Sequence, residues 1–269
     1  MTSTDITKPT SGAMFDIAVV DQLRPEHITK VAANVLGAVR IRGFFTSAEC
    51  ADIMSGLEGC ELGAYDEQFV QPRVAKLGPA AYDFYGGVGL TDEYWAAAQS
   101  AEQVRSTLLP GRDLMEMARS RLAAGWGGDI RIATSNGRRL FSGMIREINY
   151  GAKPHFDEVV REFPGVLDCE PVCQLAFNCY LAMPPASGES VVFRRRWTPA
   201  DEEHRDTYGY AQSLLAGRPA AEVRAEQGDA VLFDCRNYHL VRPNSGGGRR
   251  VTLSFFIGLQ PATWLQVWS

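Results

Sequence analysis

Residues 228–258 read GDAVLFDCRNYHLVRPNSGGGRRVTLSFFIG. Gly228-Asp229 makes a turn, AVLFD has the texture of a short strand, and His239 follows it. Pro243 and the glycines at 246–248 turn the chain into a last strand that opens with Arg249 and Arg250. A histidine in this position needs partners from elsewhere to carry chemistry, and GAKPHFDEVV (151–160) offers them. In an extended segment residues i and i+2 share a face, so His155 and Asp157 converge while Phe156 points away. An imidazole and a carboxylate on one face can take adjacent positions on a metal, and His239 from a second strand would supply a third. H-x-D alone is common, and its ordinary reading is a loop histidine bonded to a nearby acid. The other two histidines, His27 and His204, sit in polar stretches and read as solvated.

Outward from these two segments, short β-rich runs recur from about 129: DIRIAT, LFSGMIREINY, CQLAFNCYLAM, ESVVFRR, AEVRAEQGDAVLFD and RRVTLSFFIGL. Such spacing predicts a sandwich or barrel. A polar insertion, WTPADEEHRDTYGYAQSLLAG (197–217), interrupts them with some helical character. Upstream, VLGAVRIRGFF (35–45) reads as a strand, and Thr46 with Glu49 makes a capping box before a helix. Residues 61–90 read as a long loop in the position of a lid, and 91–125 as helical. The expected fold is therefore α+β, mainly β, in one domain. A loose leader (1–14) precedes a strand and helical region with the lid loop (15–128), a β core (129–260) and a tail (261–269).

The chain has 269 residues, 45% of them hydrophobic and 22% charged, which suits an ordinary globular protein. Its formal charge of −5 gives no electrostatic case for nucleic acid or an anionic membrane. No apolar run is long enough to span a membrane, and the N-terminus lacks the hydrophobic segment of a signal peptide. Six cysteines without a C-x-x-C pair suggest reduced thiols in a cytoplasm.

Taken together, H-x-D, a distal histidine after a G-D-x-x-x-F strand, H-x-x-x-P and an arginine about ten residues on resemble the 2-oxoglutarate/iron(II)-dependent oxygenases. That resemblance covers roughly 129–260 and implies a double-stranded β-helix (jelly-roll, cupin-like) core with the N-terminal helices packed on one face. It implies that His155, Asp157 and His239 hold iron(II), leaving positions for 2-oxoglutarate and O2, with ascorbate as a candidate reductant. The far carboxylate of 2-oxoglutarate needs a cationic fork, which arginine provides. Arg250-Val251-Thr252 is similar to the family's R-x-S/T, so Arg250 is preferred and Arg249 is the alternative. Arg250, Thr252 and Ser254 would then face inward. Asn178 would bond 2-oxoglutarate or substrate, or else satisfy the sheet.

Within the family, MIREINYGAKPHFD, QLAFNCYLAMPPASGES, TYGY and RNYHLVRP look most similar to enzymes of free amino acids, the halogenases and their hydroxylating or ring-forming relatives. Halogenases carry Gly or Ala where this chain has Asp157, so the resemblance implies hydroxylation of a small molecule in secondary metabolism rather than halogenation. Desaturation or ring closure, a peptide or protein hydroxylase, a zinc hydrolase and a β-barrel binding protein are the alternatives. For an amino-acid substrate, Arg73 resembles a carboxylate-binding position. Either Arg146 or Glu147 must face inward. Trp264 and Trp268 would close over the substrate or cover the core.

Overall fold

The computed structural model describes residues 15–87, 89–261 and 264–269; the leader expected at 1–14 lies outside the described residues. Two strands, Cys173–Ala182 and Val251–Leu259, pair antiparallel along almost their whole length, from Cys173↔Leu259 to Ala182↔Val251. Their side chains alternate as the period of two requires. Leu175, Phe177, Cys179 and Leu181 join Val251, Leu253, Phe255 and Ile257 in the main hydrophobic core. Gln174, Ala176 and Asn178 share the other face with Arg250, Thr252 and Ser254, which line a cavity. β-Branched and aromatic residues dominate Val251–Leu259, and Phe177 and Tyr180 of its partner pack beside them, so pairing and burial reinforce one another.

Around this pair grows a mixed sheet of ten strands among the described residues. Ala230–Phe233 flanks Cys173–Ala182, followed by Leu36–Ile41 and Asp16–Val20, the last two parallel. Beyond Val251–Leu259 come Met144–Glu147, Ala75–Leu77 and Gly63–Ala64. A second sheet runs Ala220–Val223, Ser190–Arg196, Asn237–Val241, Ala152–His155. The cavity lies between the two sheets, with lining residues from both. The helices Ser47–Glu58, Asp92–Thr107 and Leu114–Trp126 bury Ile53, Leu57, Tyr94, Leu114 and Leu122 in the core on the outer face of the large sheet. The chain is thus mainly β with helices on one face. Among the described residues, no helix is long and apolar enough to cross a membrane.

The capping box is present: Thr46 Oγ accepts the Glu49 N–H at 3.2 Å, and Glu49 accepts the Thr46 N–H at 2.9 Å. Three segments differ from expectation. The stretch 61–90 is not one loop, because Gly63–Ala64 and Ala75–Leu77 extend the sheet and Ala81–Phe84 is a helical turn. Ala75 and Leu77 are buried there, although their Gly- and Pro-rich neighbours hide any period. The C-terminal tail is a strand: Leu265–Trp268 pairs with Val251–Leu259 and with Ile130–Ile132. The insertion at 197–217 holds two short 3-10 helices, Pro199–His204 and Gln212–Leu215, around a small hairpin.

Candidate metal centre and its cavity

Ala152–His155 is the edge strand of the small sheet, which is why Pro154 is tolerated there. It pairs antiparallel with Asn237–Val241 so that His155 stands directly opposite His239. Opposed residues share a face, and the two rings lie 4.2 Å apart between centroids. Asp157, two residues on, is fixed by its N–H donating to the Cys235 carbonyl at 2.8 Å. Its Oδ2 lies 3.3 Å from His239 Nε2. One ligand atom from each of His155, Asp157 and His239 falls within 4.8 Å of the others. Phe156 turns away to pack on Tyr210, Tyr238 and Trp197.

The donor set suits a divalent metal. Nδ1 of His155 is 2.8 Å from the Lys153 carbonyl, and Nδ1 of His239 is 3.0 Å from the Asn237 carbonyl. A carbonyl can only accept, so both Nδ1 atoms carry the proton and both Nε2 lone pairs are left for a cation. Burial, reinforced by repulsion from His239, pushes His155 down to about 4, so it is neutral near pH 7. Burial works against the charge on Asp157, but the neighbouring His239 and His155 rings and the Arg146 guanidinium outweigh it and hold the carboxyl at about 2. Two imidazole Nε2 atoms and one carboxylate form the facial set that leaves room for further ligands.

The cavity, about 190 Å³, reaches from this cluster to Arg250. Arg250 is 2% exposed. Its guanidinium donates to the Gly188 carbonyl at 2.9 Å, Ser190 Oγ at 3.0 Å and Tyr180 Oη at 3.3 Å. Burial pulls it below its ordinary value, but arginine stays charged. No carboxylate pairs with it among the described residues. A buried cation held only by neutral oxygens is costly without an anion, so the pocket suits a carboxylate ligand. Arg249 points the other way and pairs with Glu147 at 2.7 Å. Thr252 and Ser254 exchange a hydrogen bond at 2.9 Å on the cavity face, and Asn178, opposite Ser254, lines the same wall.

Of the expected substrate residues, Arg146 lines the cavity, whereas Glu147 faces out to Arg249. Two others are not brought there. Arg73 is exposed and pairs with Glu67 at 3.1 Å. Trp264 stacks with Arg131, 4.7 Å from its ring centroid, while Trp268 lines the cavity instead. Likeness of a loop position does not fix where a long side chain points; strand alternation does. Sequence reasoning missed Tyr180, Ser190, Tyr65, Tyr208 and Glu162, all cavity residues apart from the shielded Tyr180 hydroxyl that braces Arg250. Tyr180 had a signal, since it shares the face of Asn178 two residues away. Tyr208 comes from the polar insertion; its hydroxyl accepts the Lys153 N–H at 2.7 Å and its ring lies 5.6 Å from that of His155.

No family model matches the chain. It is 37% identical over 246 residues to the L-gamma-glutamyl-L-propargylglycine hydroxylase of Streptantibioticus cattleyicolor, covering 90% of this chain and 92% of that one. It is 33% identical over 144 residues to leucinostatins biosynthesis cluster protein S of Purpureocillium lilacinum, covering 51% and 59%. Its fold is similar to that of an N-substituted L-amino acid dioxygenase of Burkholderia ambifaria in complex with α-ketoglutarate, with a TM-score of 0.56, 13% identity, and 92% and 97% of the two chains covered. With a hydroxylase matched along nearly its full length and the cavity built as described, the chain belongs to the 2-oxoglutarate/iron(II)-dependent oxygenases.

Proposed function

We propose that this oxygenase hydroxylates an unactivated C–H bond of an amino acid or a close derivative of one, as a step in secondary metabolism. The observation that carries the reading is the pairing, in one cavity, of the His155–Asp157–His239 cluster with a buried arginine that has no carboxylate partner among the described residues. The match to a hydroxylase acting on a small γ-glutamyl amino acid supports the substrate class. The two facing sheets are read as a double-stranded β-helix, with the whole chain one oxygenase domain. Six unpaired cysteines support a cytoplasmic setting.

In this reading His155, Asp157 and His239 hold iron(II). The bound iron supplies the redox chemistry by which O2 and 2-oxoglutarate become succinate, CO2 and a hydroxyl on the substrate carbon. The chain's own groups bind and orient. Arg250 takes the far carboxylate of 2-oxoglutarate, shielded from water by Tyr180 and Ser190, with Thr252 and Asn178 beside it. Arg146, on the large sheet's wall of the same cavity, meets the substrate's carboxylate. Apolar Val70, Val74 and Ile148 hold its carbon chain and exclude water.

The test is succinate release from 2-oxoglutarate in the presence of iron(II), across a panel of amino acids and their dipeptides. Release that depends on one of these compounds, with a product heavier by one oxygen atom, is expected. Asp157→Ala is expected to abolish it. Release stimulated only by a folded protein substrate would contradict the reading.

A further inference from the structure

The basic and acidic side chains lining the cavity are Arg146, His155, Asp157, Glu162, His239 and Arg250. The proposed reaction uses all of them except Glu162. This residue closes the short helical turn Val159–Glu162 that follows Asp157, and it stands at the exposed rim of the cavity. One carboxylate oxygen is tied down, accepting the Glu158 N–H at 2.8 Å. The other has no hydrogen-bond partner among the described residues. The contrast with its neighbour is informative: Glu158 is paired with Arg161 at 2.8 Å, whereas Glu162 makes no ion pair among the described residues. Arg146 is complementary. Its guanidinium contacts Met144 Sδ at 3.3 Å; burial works against its charge, the Tyr65 hydroxyl and the Asp157 carboxylate favour it, and no carboxylate lies within ion-pair distance among the described residues.

Arg146 and the rim carboxyl of Glu162 thus face the same space without an ion-pair partner among the described residues, with apolar Val70, Val74, Ile148 and Phe163 also on its walls. Burial and the Asp157 charge push the Glu162 carboxyl up to about 8, and a cation placed beside it would favour its ionised form. Charge complementarity selects a ligand of the opposite arrangement, and an unpaired charge rejects a ligand that lacks the matching group. We infer that Arg146 and Glu162 together read an unblocked α-amino-acid head, the carboxylate on Arg146 and the free ammonium on Glu162. This rests on the proposed function and narrows its substrate class: an amide at the amine would leave Glu162 without its partner. The same head is carried by a free amino acid and by the γ-glutamyl end of a dipeptide.

The experiment compares wild type and Glu162→Gln, both loaded with iron(II), for succinate release with free amino acids, γ-glutamyl dipeptides and the Nα-acetylated form of each. Wild type is expected to turn over the unblocked compounds and to discriminate against the acetylated ones. Turnover of free amino acids or only of dipeptides identifies the source of the head. Glu162→Gln is expected to raise KM for the unblocked substrate about 10-fold, the loss of one hydrogen bond to a charged group. Its kcat should hold and its penalty against acetylated substrate should shrink. Unchanged 2-oxoglutarate binding shows that the variant is folded. Equal KM in the two proteins, or wild-type preference for acetylated substrate, overturns the assignment while leaving the oxygenase reading intact. Succinate release with none of the compounds contradicts both.

Discussion

At the scale of the residue, the two neighbouring arginines are separated by direction alone. Arg249 ends on Glu147 at the outer face, and Arg250 ends in the cavity among neutral oxygens. Arg250→Ala is therefore expected to raise the KM for 2-oxoglutarate about 10- to 100-fold, the value of hydrogen bonds between charged groups. Arg249→Ala should leave it unchanged; steady-state kinetics at saturating substrate distinguishes them. His155 gives a second prediction, for the metal-free protein. An unfolded chain protonates this histidine near 6.5, whereas the folded chain resists down to about 4. Between those values the unfolded state binds the extra proton, so stability falls as pH is lowered through that window. Thermal unfolding of the metal-free protein should show this slope, and His155→Gln should flatten it. Asp157 acts in a lower window, its contribution present above about 3.8 and lost as pH falls toward about 2. Much of this site was legible in advance because the i, i+2 rule puts His155 with Asp157, and Arg250 with Thr252 and Ser254, on single faces. Ser190 and Gly188 were not legible, since they reach Arg250 only through folding of a different strand over it.

At the scale of the element, the metal cluster depends on how Ala152–His155 enters its sheet. Gly151 precedes it with φ of +82°, and a Cβ there would meet the Val241 carbonyl at 2.7 Å. The left-handed conformation alone costs a non-glycine residue about 1–2 kcal/mol. Gly151→Ala is expected to lose at least that in chemical denaturation and to displace the register that sets His155 opposite His239. An unchanged denaturation midpoint would contradict it. The strand at the C-terminus shows where element reading from sequence stops. Leu265–Trp268 is only four residues long, and its identity comes from pairing with two strands distant in the chain. The capping box at Thr46, by contrast, is a local signal and was fully readable.

At the scale of the whole molecule, the two sheets divide the work. The large sheet buries the core on its outer face and offers Arg250, Thr252, Asn178 and Arg146 on its inner face. The small sheet brings His155 and His239 across from them. Cofactor, substrate and metal positions thus arise from the inner faces of one sandwich, and each variant should disturb its own function without the others. The most direct test is an anaerobic calorimetric titration of the metal-free protein with iron(II), followed by 2-oxoglutarate. The account predicts one iron(II) per chain, 2-oxoglutarate binding that requires the iron, loss of iron binding in Asp157→Ala, and loss of only the second step in Arg250→Ala. Iron(II) held equally well by Asp157→Ala, or 2-oxoglutarate bound equally tightly without metal, would contradict it.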